Sequence, residues 1–404
     1  MEKIYENYAL LIVKVGVNVQ KGQDVIINAS TRISEFVEYV VKAAYKAGAK
    51  RVSVEWKNDA ITRLDRLYQS EEELGTVLPW EEAKAKYDAH NLPCMIHIVD
   101  SDPNAFDGID HEKIGNARIK RYQVLKPYLD QRDGKYQWTI VALPSVAWAN
   151  KIFPNDPNAY EKLWQAIIDC TRLEGDVLLN WQQHMDYLKE KSDKMNAYHF
   201  TSLHYTNSLG TDLYIGLNPD YKWLNAHETS LLGHQFMANM PSEEVFALPK
   251  KYATHGKVVA TMPLSYQGTL IEDFSIEFEK GKVVKVRASK GQDVLEKLIS
   301  MDQGSAYLGE VALVSYDSPI RQSGILFYNT LFDENASCHI ALGDGIKEGV
   351  EGFEKMNDEQ LEKIECNHSM NHVDFMIGGS DLLIEGTTIE GDKITVFKDG
   401  HWAI

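Results

Sequence analysis

The chain has 404 residues, of which 44% are hydrophobic and 25% are charged, a globular composition with enough length for two domains. A formal charge of −17 argues against binding to nucleic acid or acidic membranes, and is compatible with divalent cations or ligands that carry an ammonium group. No apolar run approaches the ~20 residues of a membrane span, and the N-terminal sequence lacks a signal-peptide pattern, so we expect a cytoplasmic protein.

The first half of the chain alternates between predicted helices and predicted strands. A βαβ unit is expected where a β-branched strand over 23–30 precedes a helix over 33–47, ended by Gly48, and a second strand over 50–56. The other expected elements are helices over 1–20, 59–75, 80–89 and 111–128, and strands over 94–99 and 136–143. This alternation predicts an α/β domain with a mostly parallel sheet. The first strand-to-helix turn lacks a glycine-rich phosphate motif, which argues against nucleotide binding.

The second half of the chain has a different pattern. Long helices are predicted over residues 158–195, and we place the boundary near 190, giving an N-terminal domain over 1–190 and a C-terminal domain over 191–404. After residue 197, short alternating strands separated by glycine turns predict an α+β, largely antiparallel domain. Helices over 291–302 and 358–365 interrupt it, and Asn357 or Asp358 is the expected cap of the latter.

One predicted strand of the second domain, HVDFMI over 372–377, combines ligand-type and apolar side chains. In a strand, residues two apart face the same way, so His372 and Asp374 project together while Val373 and Phe375 face a core. An imidazole and a carboxylate on one strand form half of a divalent-metal site. The alternative is a strand that exposes these two polar residues to solvent and binds no metal.

Other candidate ligands lie upstream in the same domain. Glu243 and Glu244 follow a Pro-Ser turn, where the alternative is the first turn of a helix capped by Ser242. Glu310 lies in LGEVALV, where it is costly to bury without a partner; the alternative is an edge strand that exposes it to solvent. His339, in SCHIALG, could instead be a hydrogen-bonded core histidine.

Together these residues offer carboxylates and imidazoles at turns or strand ends within one domain. Such a set is typical of a pair of divalent ions about 3.5–4 Å apart. The four cysteines are dispersed without a CxxC pair, which predicts unpaired thiols and excludes a cysteine-rich zinc site.

The strings NMPSEEVF, LGEVALV, LFDENASCHIALG and HVDFMIG, in this order and spacing, resemble the thermophilic-type metallo-aminopeptidases, the family of aminopeptidases T and S and PepS. The resemblance implies two divalent ions per chain (Zn, Co, Mn or Mg), peptide substrates with a free N-terminus and a homodimer. It also implies the metal ligands Glu244, Glu310, His339, His372 and Asp374. Glu243 would then be a catalytic base or a supporting carboxylate.

The sequence departs from this family at Ile346. The family commonly carries an active-site tyrosine seven residues after the SCHIALG histidine, and this position holds Ile346 here. A phenol can bind a metal or stabilise an oxyanion, whereas isoleucine can do neither.

The leading hypothesis is therefore a metallo-aminopeptidase that removes N-terminal residues through a water activated by two metal ions. Glu243 or a ligand glutamate would take the proton of this water. One alternative is a mononuclear-iron, ring-cleaving dioxygenase of related architecture, which needs fewer carboxylates. The other, motivated by Ile346, is a catalytically weak protein that binds metal or peptide.

Overall fold

The computed structural model describes residues 1–100, 102–266 and 268–404, except for the side chain of Asp358. The helices are α1 Glu2–Leu11, α2 Ser34–Ala47, α3 Asp59–Tyr68, α4 Glu71–Gly75, α5 Pro79–Asn91, α6 His111–Arg132, α7 Val146–Ile152, α8 Ala159–Cys170, α9 Val177–Tyr198, α10 Gln292–Ile299, α11 Pro319–Gln322, α12 Thr330–Asp333 and α13 Asp358–Lys363.

The strands of the first half and the middle of the chain are β1 Asp24–Ser30, β2 Arg51–Lys57, β3 Cys94–Val99, β4 Trp138–Ala142, β5 Phe200–Thr206, β6 Asp212–Leu217, β7 Leu224–Asn225, β8 His227–Thr229, β9 Gln235–Met237, β10 Val245–Ala247 and β11 Pro249–Val259. They are followed by β12 Leu264–Tyr266, β13 Thr269–Ile271, β14 Ser275–Glu279, β15 Lys282–Arg287, β16 Leu308–Leu313, β17 His339–Gly343, β18 His372–Met376, β19 Leu383–Thr388, β20 Lys393–Lys398 and β21 His401–Trp402.

The chain divides into two compact units, 1–182 with 227–240, and 183–226 with 241–404. Helix α9 begins in the first unit and ends in the second. The predicted domain boundary near residue 190 stays a prediction. The compact units do not test it, because each unit is made of two separate segments of the chain.

The first unit contains a parallel sheet in the order β2-β1-β3-β4. The predicted βαβ unit is confirmed, and Gly48 ends α2 in the left-handed conformation at φ 105°. Tyr8 is fully buried in the core of this unit and donates its hydroxyl to Ala142 O at 3.0 Å. The sheet therefore has the α/β architecture that the alternating pattern predicts.

Two predicted helices of this unit differ from the structure. The helix expected over 1–20 ends at Leu11 and continues as a π-helical turn over Ile12–Gly16. The helix expected over 59–75 is broken, because Ser70 starts a new helix and forms a capping box with Glu73. Propensity alone predicted helix on both sides of the break, but the cap decides where the second helix begins.

The second unit is built mainly from two antiparallel sheets. One has the order β18-β17-β16-β10-β7, and the other has the order β15-β14-β11-β6-β5-β19-β20-β21. This confirms the expectation of a largely antiparallel α+β domain. Of the two candidate caps for α13, Asn357 makes the capping bond, to the N–H of Gln360. Over the described part of the chain, no helix has both the length and the apolar character needed to cross a membrane.

Candidate metal centre

The five predicted ligands lie on four neighbouring segments of the five-stranded sheet. Glu244 immediately precedes β10, Glu310 is within β16, His339 begins β17, and His372 and Asp374 are on β18. Directly paired residues share a face, so the register Glu310–Ala341–Asp374 places both carboxylates on one face with alanine between them. The small methyl group of Ala341 leaves space above the sheet where the longer side chains converge.

The donor atoms of these side chains form two overlapping groups of three. Glu244, Glu310 and His339 make one group, and Glu310, His372 and Asp374 make the other, with the atoms of each group within 4.8 Å of one another. His339 Nε2 lies 3.2 Å from Glu244 Oε2, and His372 Nε2 lies 3.1 Å from Glu310 Oε2. Glu310 therefore belongs to both groups.

Backbone carbonyls orient both imidazoles. His339 Nδ1 lies 3.2 Å from Ser337 O, and His372 Nδ1 lies 2.9 Å from Asp344 O. When Nδ1 donates its proton to such a carbonyl, Nε2 keeps a lone pair that can bind a metal. In both histidines Nε2 is the nitrogen that faces the carboxylates.

A β-bulge aims the shared glutamate. The pairing of β16 with β17 shifts between Leu308 and Glu310, so Gly309 is the extra residue. A Cβ at Gly309 would lie 2.0 Å from Asp344 O, which means that only glycine permits this approach. Asp344 O also contacts His372 Nδ1. The bulge and the orientation of the His372 ring therefore both depend on the position of this one carbonyl group.

The segment before β18 is fixed by buried polar side chains. Asn367 donates to Gly304 O and Gly343 O, at 2.8 and 2.6 Å. Asp302 accepts hydrogen bonds from the Ser369 hydroxyl and from the Met370 N–H, at 2.9 and 2.6 Å. These bonds set the position from which His372 and Asp374 extend.

The carboxylates of the two groups attract positive charge strongly. Burial raises the pKa of Glu310 to about 7, although the hydrogen bond with His372 opposes this shift. Burial alone would lower the pKa of each imidazole, but Glu244 raises the pKa of His339 to about 10. Asp374 and Glu310 similarly raise the pKa of His372 to about 12.

The chemistry of this donor set fits divalent cations. Asp374 Oδ1 is buried and accepts no well-formed hydrogen bond from the described residues; His372 Nε2 lies 3.4 Å from it, which leaves this carboxylate oxygen available to a cation. The donors of the two groups are carboxylate oxygens and imidazole nitrogens, and the described cysteines are all buried elsewhere as free thiols. Such mixed oxygen and nitrogen sets suit zinc, cobalt and related divalent ions.

Comparison with known proteins agrees with this chemistry. A family profile described as thermophilic metalloprotease (M29) matches residues 1–402. The chain belongs to the M29 family. It is 44% identical over 402 residues to aminopeptidase AmpS of Bacillus subtilis, covering 98% of this chain and 97% of that protein. It is 37% identical over 404 residues to aminopeptidase PepS of Streptococcus thermophilus, covering 99% and 98% of the two chains.

A solved structure also matches the whole chain. Wild-type AmpT from Thermus thermophilus superposes with a TM-score of 0.91 at 34% identity, covering 100% of both chains. The M29 resemblance expected from the sequence strings is therefore confirmed, and so is the fold class.

Two alternative interpretations of single residues in this M29 chain are wrong. The Glu243–Glu244 pair begins no helix, since residues 242–244 lead directly into β10. Glu310 does not face solvent from an edge strand: β16 lies between β17 and β10, and Glu310 is 4% exposed. His339 is a buried, hydrogen-bonded histidine as its alternative supposed, yet its second nitrogen faces Glu244.

Glu243 lies outside both ligand groups. Its backbone N–H donates to Asn335 Oδ1 at 2.7 Å, and its Oε2 lies 3.7 Å from His184 Nε2 on α9. His184 Nε2 is also 2.8 Å from Ser242 O. The glutamate is thus held from both sides, and its catalytic role in this M29 chain stays a prediction.

Ile346, the departure from the M29 pattern, lies beside the bulge. Its backbone N–H donates to Gly309 O at 3.2 Å, next to Glu310. The side chain is partly buried.

The sequence interpretation missed Glu334, which begins the turn after α12. Glu334 and Asp374 line the same cavity, so this carboxylate lies close to the ligands. Its only sequence signal was an acidic residue in DENAS, five residues before His339.

Proposed function

We propose that this metal-dependent aminopeptidase of the M29 family holds two divalent ions, with Glu310 as the ligand common to both. The supporting observation is that Glu310 belongs to both groups of donor atoms. Glu244 and His339 would complete one position, and His372 and Asp374 the other. Two divalent cations would also offset the three buried carboxylates, which otherwise repel one another in a low-dielectric site.

Divalent ions held by these residues would polarise a peptide carbonyl and lower the pKa of a water. The remaining chemistry belongs to protein side chains. We assign proton transfer to the Glu243 carboxylate, which would accept a proton from the attacking water and deliver it to the leaving amine nitrogen. Asn335 and His184 hold this residue in place. A ligand glutamate remains the alternative proton acceptor.

The substrates of this proposal are peptides with a free N-terminus, because the relatives at 37–44% identity over nearly their whole length are named aminopeptidases. Two imidazoles among oxygen donors favour zinc or cobalt over magnesium, with manganese intermediate. A homodimer and a cytoplasmic location are part of the same proposal. The M29 match favours the peptidase over a ring-cleaving dioxygenase.

A catalytically weak member of the family is the second candidate, and Ile346 favours it. The residue lies beside Glu310 through its bond to Gly309, where a family tyrosine would offer a hydroxyl. Loss of one such donor lowers the rate of related reactions about 10²–10³-fold.

Substitution of the shared ligand tests the proposal. Metal content and hydrolysis of leucine p-nitroanilide are measured for the wild type, Glu310→Gln and, as a matched control, Glu390→Gln in an exposed turn. We expect two ions per wild-type chain, and loss of both ions with at least ~100-fold lower kcat/KM in Glu310→Gln. The control should behave as wild type.

Three results would contradict the proposal. Unchanged activity of Glu310→Gln would remove the shared ligand from the mechanism. A Glu310→Gln chain that still binds two ions would show that the glutamate is not common to both positions. One iron per wild-type chain together with oxygen consumption would instead support the dioxygenase.

A further inference from the structure

A small cavity adjoins the ligand groups within the second unit. Asp374 forms part of its wall, so a molecule in the cavity touches the same carboxylate that faces the proposed metal ions. The exposed Thr330 also lines it, which opens the cavity to the surface. The full lining consists of Pro263, Leu264, Ser265, Thr330, Asp333, Glu334, Asp374 and Met376.

Glu334 is the carboxylate of this cavity that remains available for a ligand. It belongs to neither group of metal donors. Its Oε1 receives one long hydrogen bond, 3.4 Å from Asn335 Nδ2. Within residues 1–100, 102–266 and 268–404, no lysine or arginine forms an ion pair with it. The carboxylate is therefore held at one oxygen and partly exposed.

The neighbouring Asp333 does not compete for this role. Its Oδ1 accepts the N–H of Phe327 at 2.7 Å, and its Oδ2 accepts the N–H of Asn329 at 2.9 Å. Both oxygens are thus occupied in holding the loop before α12. The adjacent residues differ in function: Asp333 is tied to the backbone, and Glu334 faces the cavity.

The rest of the lining is mixed: Pro263, Leu264 and Met376 are apolar, and Ser265 and Thr330 carry hydroxyl groups. Leu264 is 7% exposed and Met376 is 2% exposed, so their contact surfaces belong to the interior. A cavity that places one available carboxylate beside apolar side chains suits a cation. Asp374 Oδ1 lies on the side of the ligand groups, 3.4 Å from His372 Nε2.

We propose that Glu334 binds the α-ammonium group of the N-terminal residue of the substrate. This inference rests on the proposed aminopeptidase function. The α-nitrogen of a peptide is separated from its first carbonyl carbon by a single Cα, so the carboxylate that binds it has to adjoin the ligands. Glu334 meets this requirement because it shares the cavity with Asp374.

The assignment explains why cleavage would stop at the first residue. An internal peptide bond presents an amide nitrogen, which carries no positive charge and cannot form a charge-assisted hydrogen bond with Glu334. An N-acylated peptide lacks the ammonium group as well. Substrates would therefore have a free N-terminus.

Binding of a compound without a scissile bond tests the inference. Calorimetry compares L-leucinol, which carries the ammonium group, with 4-methylpentan-1-ol, which lacks it, on the metal-loaded protein. The chains are the wild type, Glu334→Gln, Glu334→Asp and the control Glu390→Gln. Metal content is measured for each chain before titration.

We expect Glu334→Gln to bind leucinol about 10- to 100-fold more weakly than wild type, because a hydrogen bond between charged groups is lost. Glu334→Asp should retain part of the affinity, and the affinity for 4-methylpentan-1-ol should change less than about twofold. With leucine p-nitroanilide, Glu334→Gln should raise KM more than it lowers kcat, since the contact is made before and during the reaction.

Equal leucinol affinity in wild type and Glu334→Gln would overturn the inference, and would place the amine elsewhere. Loss of metal ions from Glu334→Gln would also overturn it, because the residue would then support the metal centre. A defect confined to lysine p-nitroanilide would reassign Glu334 to recognition of a basic side chain. Failure of the aminopeptidase proposal is seen separately, as a metal-loaded wild type that hydrolyses no aminoacyl anilide although leucinol binding depends on Glu334.

Discussion

Glu310 is 4% exposed in the middle of a five-stranded sheet, and its carboxylate belongs to both groups of donor atoms. A buried carboxylate is tolerated only when cations or hydrogen-bond donors compensate its charge. His372 supplies one such contact, and the proposed ions would supply the rest. The Glu310 side chain thus connects the two groups of donor atoms.

Restoring a phenol at position 346 should increase activity. In Ile346→Tyr, a hydroxyl is placed beside the bulge that carries Glu310, where it can donate to the developing oxyanion. We expect kcat for leucine p-nitroanilide to rise by up to ~10²-fold with little change in metal content.

Ile346→Phe is the matched control, since it has the ring without the hydroxyl. Equal rates for the phenylalanine and tyrosine variants would show that the hydroxyl has no part in catalysis.

Asp333 makes stability depend on pH. Burial raises its pKa from 3.8 to about 7, against the backbone hydrogen bonds that favour its charged form. Between these two values the folded chain keeps the proton and the unfolded chain loses it, so this residue contributes less stability as pH rises from about 4 to 7. The change is on the order of a few kcal/mol.

Asp333→Asn removes this titration. We therefore expect the melting temperature of the variant to improve relative to wild type as pH rises from 4 to 7, measured by thermal unfolding in the presence of chelator. A difference in melting temperature that stays constant across this range would contradict the assignment.

At the scale of elements, strand β18 is positioned by the segment that precedes it. The turn before β18 is stabilised by hydrogen bonds of the side chains of Asn367, Ser369 and Asp302. The strand then runs antiparallel to β17. Ligand geometry therefore depends on residues that never face the proposed ions.

Asp302→Ala should weaken metal binding without removing a ligand. Loss of the bonds to Ser369 and Met370 loosens the start of β18, and residues that support ligands typically change metal affinity 10- to 100-fold. Competition with a fluorescent chelator measures the affinity, with the exposed Asp220→Ala as control. Unchanged affinity together with a lower melting temperature would limit Asp302 to a role in stability.

The period-2 alternation of HVDFMI was sufficient to predict both the strand and the shared face of His372 and Asp374. The embedded Glu310 was recognisable because a carboxylate in an apolar strand needs a partner. The Gly309 bulge and the overlap of the two groups were not visible, since they depend on pairing between distant strands. Glu334 was missed because a single acid in a turn has no periodic pattern.

At the scale of the whole molecule, sequence patterns predicted the parallel sheet and the antiparallel sheets but not the composition of the compact units. Residues 227–240 group with the first unit, and Ile140 forms a bridge with Asn239. No local sequence pattern marks this return of the chain to the first unit, because hairpin β8–β9 has the same turn chemistry as hairpins of the second unit.

The four cysteines are free and buried, and this arrangement predicts an unreactive set of thiols. Burial raises the pKa of Cys94, Cys338 and Cys366 to about 12, so the nucleophilic thiolate is scarce at neutral pH. Cys338 lies next to His339, but its sulfur lies 3.3 Å from Val314 O as part of the strand packing. We therefore expect it to have a structural role.

Native protein should react with fewer than one equivalent of Ellman's reagent in an hour, whereas protein in guanidinium should release four. Glu390→Cys provides the matched positive control, because it adds one thiol in an exposed turn and should label at once. Peptidase activity should be unaffected by the reagent over the same period. Rapid labelling of a native thiol with parallel loss of activity would indicate that the strands around Cys338 open, and would connect the metal centre to local unfolding of this sheet.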